Sequence, residues 1–131
     1  MMSFERLTEQ HSSLALKVAL RIIRAWQASP HQACQILRIS PSTYRRASQV
    51  RSAGRRLDRD QQQRIGIVLG IHASLRTVFT NQANVTGFPS LKNANAFFRG
   101  RSPLEIMSQG DMISLYETFK HIDQLRYLGE A

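Results

Sequence analysis

Between residues 38 and 49 the sequence places hydroxyl, guanidinium and amide side chains close together. These are the groups that pair with phosphates and base edges in protein–DNA complexes. Two surface helices of an ordinary α-helical domain would also expose polar side chains, so residue type alone leaves both interpretations open. The candidate residues for contact with DNA are Arg38, Ser40, Ser42, Thr43, Arg45, Arg46 and Gln49.

Two short helices are predicted to hold these side chains. Ser29-Pro30 and Ser40-Pro41 each combine an N-cap with a first-turn proline, and Gln32 is spaced to complete a capping box on Ser29. The short break between the two helices requires a sharp turn, which predicts a helix-turn-helix. The second helix is expected to direct its candidate DNA contacts outward and Tyr44 and Ala47 toward the core.

This stretch resembles the helix-turn-helix of Xre-type repressors. Cys34 stands where that family has a small residue, and Ile39 and Tyr44 stand where it has apolar anchors. Arg38 departs from the pattern, because it occupies the position of the usual turn glycine. A non-glycine residue at positive φ is strained, so the exact geometry of this turn does not follow from the family pattern.

The positive charge of the chain is concentrated in its N-terminal part. The formal net charge is +9, and residues 1–60 hold 11 Lys/Arg against 4 Asp/Glu, whereas residues 61–131 hold 7 against 5. A basic excess beside a helix-turn-helix is typical of a nucleic-acid partner, although a solvated basic surface is the simpler alternative. The apolar run at 14–26 is interrupted by Lys17, Arg21 and Arg24, so a soluble, cytoplasmic protein is expected.

Enzymatic chemistry has little support in the sequence. The four histidines are far apart, and neither a glycine-rich phosphate loop nor a nucleophile elbow is found. Cys34, the only cysteine, excludes an internal disulfide and a cysteine-rich zinc site. We therefore expect a protein that is not an enzyme and that has no cofactor or metal, with His72 as a core histidine making one hydrogen bond. The histidines are His11, His31, His72 and His121.

Helical periodicity dominates the whole chain, and the fold class predicted is all-α. We expect an N-terminal helix-turn-helix bundle in residues 1–56 and a small helical domain in residues 57–131. A turn-rich segment is expected over residues 80–95, and Gly66 and Gly70 imply close helix packing. The other helices are expected at Ser13–Gln27, from Arg59 to about Phe79, from Pro103 (with Ser102 as its N-cap) to a stop at Gly110, and from Met112 to about Leu128.

The C-terminal half resembles the toxin-binding domain of the Xre/MbcA/ParS antitoxins. Leu57–Phe79 matches the helix that opens that domain, and Phe98–Met107, Gly110 and Ile122–Arg126 carry the rest of the likeness. The usual tryptophan and Pro-Asn pair are replaced by Thr86-Gly87-Phe88-Pro89 and Asn93-Ala94-Asn95. With the helix-turn-helix, the resemblance covers roughly residues 13–131.

The resemblance implies an antitoxin that binds its own promoter and holds a toxin inactive through its C-terminal domain. In RES–Xre systems the toxin consumes NAD, and the antitoxin covers the entrance to its active site. A homodimer is expected, because one short recognition helix reads few base pairs. The alternative is a stand-alone repressor whose C-terminal half only dimerises. The candidate toxin-binding residues are Arg101, Leu125, Arg126, Tyr127, Leu128, Gly129 and Glu130.

Overall fold

The structure is a computed structural model, and it describes residues 9–49 and 56–128. Within those two ranges every regular element is helical, which confirms the all-α prediction. The elements are α1 (Glu9–Ala25), α2 (Pro30–Leu37), α3 (Pro41–Ala47), α4 (Arg59–Val78), α5 (Gln82–Gly87), a 3₁₀ turn (Phe88–Ser90), α6 (Pro103–Met107) and α7 (Met112–Leu128).

Local capping explains where most of these helices begin. Ser29, Asp58 and Ser102 each accept a hydrogen bond from the backbone N–H three residues on and receive a reciprocal capping-box contact. Ser40 caps α3 through Thr43 N–H, without the reciprocal contact. Each such cap satisfies N–H groups that the helix itself leaves without partners. The predicted starts of α2, α3, α4 and α6 are therefore confirmed.

The longest helix, α4, is the centre of the fold. It packs against α1 and α2 of the helix-turn-helix bundle and also against α5 and α7, and α1 contacts α5 as well. Trp26, Ile71 and Ile122 are among the side chains that are fully buried in the shared core. The helix-turn-helix is thus fixed to the C-terminal half through α4, and the predicted boundary between residues 56 and 57 stays a prediction.

Several details of the expected pattern are wrong. Helix α1 begins at Glu9, not Ser13, and α5 with its 3₁₀ turn lies inside the segment expected to be turns. On α4 the buried face includes Ile71, while Leu69 and His72 are only half-buried. His72 Nδ1 has no hydrogen-bond partner among the described residues, so the expected hydrogen bond is not found at that atom.

At Gly70, α4 lies close to the Phe119 side chain of α7. A Cβ atom at Gly70 would lie 3.1 Å from Cε1 of Phe119 on α7. That distance is shorter than ordinary carbon contacts, so the absence of a side chain lets the two helices pack. The prediction of close packing is confirmed for Gly70, and for Gly66 it stays a prediction.

Candidate nucleic-acid interface and C-terminal surface

The turn between α2 and α3 is closed by an arginine in the left-handed region. Arg38 has φ 54° and ψ 50°, and its backbone N–H donates to the carbonyl of Cys34. The turn therefore has the positive φ that a glycine usually provides, with a side chain that adds strain of about 1 kcal/mol.

Ion pairs hold the Arg38 side chain against the start of α4. Its guanidinium lies 2.5 Å from a carboxylate oxygen of Asp58 and 2.5 Å from one of Asp60. Gln61 Nε2 donates to the Arg38 carbonyl at 2.9 Å. Because two carboxylates already neutralise Arg38, the structure gives it a role in fixing the turn, and contact with DNA stays a prediction for this residue.

The two acids of this cluster are held ionised. The backbone N–H of Gln61 holds the pKa of Asp58 below its ordinary value, and Arg38 adds to the effect. Burial opposes ionisation of Asp60, yet hydrogen bonds from Arg38 and Arg64 keep its pKa below the ordinary value. The cluster is therefore a stable set of charges at neutral pH.

The outward face of α3 presents three polar side chains to solvent, and a fourth follows the end of the helix. Ser42, Arg45 and Arg46 on α3 and Gln49, two residues beyond its end, are exposed, and the side chains of these four make no hydrogen bond or ion pair with the residues that the structure describes. Unpaired polar side chains on and next to one short helix fit what base edges and phosphates require. The exposure predicted for these four is confirmed, whereas the predicted place of Gln49 on the helix is wrong, because α3 ends at Ala47.

Thr43 is the exception on this helix. It is only 3% exposed, so its predicted outward orientation is wrong. The physical reason is the cap of α3: Ser40 Oγ accepts from Thr43 N–H at 3.1 Å and donates to Thr43 Oγ1 at 3.0 Å. Both hydroxyls are consequently engaged in closing the helix N-terminus, although Ser40 itself remains exposed.

Beside the outward face, α2 and α3 enclose an open cleft of about 480 Å³. Cys34 contributes to its floor, and burial raises the pKa of that thiol, which favours the protonated form. The two-helix arrangement therefore presents a concave, largely apolar surface next to the exposed arginines. The lining residues are Pro30, His31, Cys34, Pro41, Tyr44, Arg45 and Ser48.

Sequence reasoning missed the buried charge of Arg64. This side chain is 5% exposed, and its guanidinium donates to Asp60 at 2.8 Å and to the carbonyls of Ile36 at 3.2 Å and Gly110 at 2.8 Å. The four-residue spacing from Asp60 was the available signal. Arg64 ties the end of α2 to the turn between α6 and α7.

The candidate toxin-binding residues lie in two places, before α6 and at the end of α7. Arg101 is exposed and donates from Nε to the Phe98 carbonyl at 3.2 Å. Leu125 is half-buried, whereas Arg126, Tyr127 and Leu128 are exposed in the last turn of α7. The remaining two, Gly129 and Glu130, lie outside the described residues.

Helix α7 buries one face and exposes several large apolar and aromatic side chains on the other. Leu115, Thr118 and Ile122 are buried against the core, while two pairs of large side chains, one near each end of the helix, are exposed on the opposite side. Lys120, which pairs with Glu117, and Gln124 lie between the two pairs, so the surface is mixed, with an exposed apolar group at each end. We call these four the outer face of α7: Ile113 (74% exposed), Tyr116 (47%), Tyr127 (69%) and Leu128 (71%).

In the described part of the chain, no three His, Cys, Asp or Glu side chains are grouped as a metal ion requires. None of the described helices has the length and apolar character needed to cross a membrane.

Comparison with known proteins places the helix-turn-helix in a family. The family model for the antitoxin Xre-like helix-turn-helix domain matches residues 5–70, about half of the chain. Uncharacterized protein y4oB of Sinorhizobium fredii (strain NBRC 101917 / NGR234) is 29% identical over 113 residues, which cover 85% of this chain and 83% of that protein. No solved structure matches. The chain therefore belongs to the antitoxins with an Xre-like helix-turn-helix domain, a family of DNA-binding regulators.

Proposed function

We propose that this chain is the antitoxin of a type II toxin–antitoxin system. In this proposal it binds and neutralises a cognate RES-type, NAD-consuming toxin and represses its own operon by binding operator DNA. The antitoxin family supports the general role, and the resemblance of Phe98–Met107 and Ile122–Arg126 to toxin-binding domains supports the identity of the toxin. The protein acts as a homodimer on DNA, since paired half-sites compensate for a short recognition helix.

The observation that supports DNA binding is the exposed outer side of α3. Arg45 and Arg46 lie with Ser42 on a helix whose start is fixed by the Ser40 cap, and Gln49 follows the end of that helix. Guanidinium and amide groups pair bidentately with guanine and adenine edges in the major groove, while hydroxyls fix the backbone register. These four side chains are the proposed DNA contacts.

We assign toxin binding to the end of α7. Tyr127 and Leu128 are exposed apolar groups, and Arg126 is stacked on the Tyr127 ring with 5.3 Å between its guanidinium carbon and the ring centroid. Tyrosine and arginine are common anchor residues in protein interfaces. We include Arg101, Leu125, Gly129 and Glu130 in this proposed surface because of the resemblance alone.

A stand-alone repressor is the second candidate function. In that case the outer face of α7 would pair with the same face of a second copy, and no toxin would bind. The specific observation in its favour is that Ile113 and Tyr116 place a second group of exposed apolar side chains near the start of the helix, with Lys120 and Gln124 between the two groups. A dimer interface needs such length more than a terminal anchor does.

Co-expression of this chain with the product of the neighbouring gene distinguishes the two candidates. An antitoxin should co-purify with that product as a complex whose mass, measured by native mass spectrometry, contains both chains. Two results together would contradict the antitoxin proposal and favour the stand-alone repressor. This chain would purify only as a homodimer, and cells would tolerate the neighbouring gene product in the absence of this chain.

A further inference from the structure

The recognition helix α3 depends on other elements at its C-terminal end. It has seven residues, and the residue that follows, Ser48, has a right-handed backbone (φ −82°, ψ −10°), not a left-handed glycine turn. A helix this short is not stable by its own hydrogen bonds. The N–H groups of Ser48 and Gln49 reach the carbonyls of Tyr44, Arg45 and Arg46, but the Ala47 carbonyl has no backbone donor among the described residues. A side chain from another element can therefore supply the donor that this last carbonyl lacks.

Lys17 of α1 supplies donors to the end of α3. Its half-buried side chain donates from Nζ to the carbonyl of Ala47 at 2.9 Å and to the carbonyl of Gln49 at 2.6 Å. A positive charge at these carbonyls also opposes the negative end of the helix dipole. The ammonium group thus completes the C-terminal cap of α3 at the Ala47 carbonyl, which the local backbone donors do not reach.

Arg24, two turns further along the same face of α1, holds the side of α3. Its Nε donates to the Tyr44 hydroxyl at 3.3 Å, and its guanidinium carbon lies 5.2 Å from the centroid of the Tyr44 ring. Its Nη2 also donates to Ser48 Oγ, while the Ser48 hydroxyl donates to the Tyr44 carbonyl at 2.8 Å. Arg24 thus contacts both the middle and the end of α3.

We propose that Lys17 and Arg24, here called the α1 clamp, are positioning residues that set the orientation of the recognition helix. The inference rests on the proposed DNA-reading function of α3. In this proposal, basic residues near α3 have two different roles. Arg45 and Arg46 face the DNA, whereas Lys17 and Arg24 form hydrogen bonds with α3 itself. Their effect on DNA binding is exerted through the placement of α3.

Arg21 offers a matched control. It lies one turn from Lys17 on the same side of α1 and is exposed, with no hydrogen bond or ion pair to any described residue. Lys17→Met and Arg21→Met each remove one positive charge from the same helix, but only the first removes the cap of α3. Arg45→Met serves as the reference for a direct DNA contact, and Lys17→Arg tests whether another cationic donor restores the cap.

The experiment has one arm without DNA and one with DNA. Hydrogen exchange of the protein alone should be roughly fivefold faster at the α3 amides in Lys17→Met, as for the loss of a helix cap, and unchanged in Arg21→Met. With the duplex from immediately upstream of the gene, Lys17→Met should bind several-fold more weakly over a series of KCl concentrations. Its salt dependence should match that of the unaltered protein, and Lys17→Arg should recover the affinity.

Two results would overturn the proposal. One is a salt slope in Lys17→Met that is smaller by about one, as expected for Arg45→Met, because that would make Lys17 a phosphate contact. The other is unchanged exchange at α3. If the unaltered protein fails to bind the upstream duplex, the operator function is contradicted, and the exchange arm still decides whether the clamp holds α3.

Discussion

Arg45 and Arg46 differ from Arg38 in what surrounds them. Both are exposed, and neither forms an ion pair with any described residue, whereas the Arg38 guanidinium lies between Asp58 and Asp60. An arginine placed between two carboxylates attracts a phosphate weakly, because the negative charges of those carboxylates repel it. At the residue scale, the attraction of α3 to DNA therefore depends on Arg45 and Arg46.

Replacing Arg45 and Arg46 together by alanine should weaken binding to the upstream duplex. We expect a loss of about 1–3 kcal/mol for a bidentate base contact, and a shallower salt dependence from the lost phosphate attraction. A gel-shift titration at fixed salt measures the loss. Arg21→Ala together with Arg76→Ala, two exposed arginines outside α3, controls for the loss of two positive charges. Unchanged affinity in a protein that is folded by circular dichroism would exclude α3 as the reading helix.

Thr43 marks the limit of sequence reasoning at this scale. Polar residues on a predicted surface helix are expected to face solvent, but the Ser40 hydroxyl draws the Thr43 hydroxyl into the N-terminal cap. Arg64 is missed for a related reason: a charged residue is expected to be exposed, yet Arg64 is satisfied by Asp60 and by backbone carbonyls. Both outcomes depend on hydrogen bonds that residue type does not reveal.

At the scale of elements, helix starts are predictable because their signals are local. Ser29, Asp58 and Ser102 each have the glutamine or glutamate three residues on that completes a capping box. Helix α5 has a weaker signal, an Asn81 side chain that accepts from Ala83 N–H at 2.7 Å. Its six residues include threonine and glycine, which are typical of turns, and the helix depends on burial of Val85. The composition of this segment therefore predicted turns and not a helix.

Gly70→Leu should destabilise the packing of α4 on α7. A leucine side chain would extend into the Phe119 ring, whose Cε1 already lies 3.1 Å from the Cβ position, so we expect a loss of about 1–3 kcal/mol in the free energy of unfolding. Urea denaturation measures it. Gly87→Leu is the matched control, because a Cβ at Gly87 meets nothing within 4 Å. A more stable Gly70→Leu protein would contradict the close approach of the two helices.

At the scale of the whole molecule, α4 connects the DNA-facing helices to the C-terminal helices. Arg64 reinforces this connection, because its guanidinium reaches the Ile36 carbonyl at the end of α2 and the Gly110 carbonyl before α7. In sequence the chain resembles two separate domains, and that resemblance did not indicate that the buried Arg64 side chain joins them. Such a contact depends on three segments that are distant in sequence, which explains why periodicity cannot predict it.

Arg64→Met should destabilise both halves together. Methionine fills much of the space but leaves the two carbonyls without their donor, so we expect a loss of about 2 kcal/mol in the free energy of unfolding. Arg76→Met, an exposed position on the same helix, is the control for charge and helix propensity. Equal stabilities of the two variants in urea denaturation would mean that the Arg64 contacts contribute nothing measurable.

The most direct test of the central claim is neutralisation by a protein lacking residues 126–131. The deletion removes Arg126, Tyr127 and Leu128 from the proposed toxin surface but leaves Leu115 and Ile122 buried in the core. Anchor residues of this kind each contribute about 2 kcal/mol or more, so the complex should weaken by at least a hundredfold. The measurement is growth of cells that express the neighbouring gene product together with the truncated chain.

We expect the truncated chain to bind the upstream duplex normally and to fail to restore growth. The Arg45→Ala, Arg46→Ala protein should do the opposite, since its toxin surface is intact. Full rescue by the truncated chain would contradict the assignment of the toxin-binding surface to the end of α7.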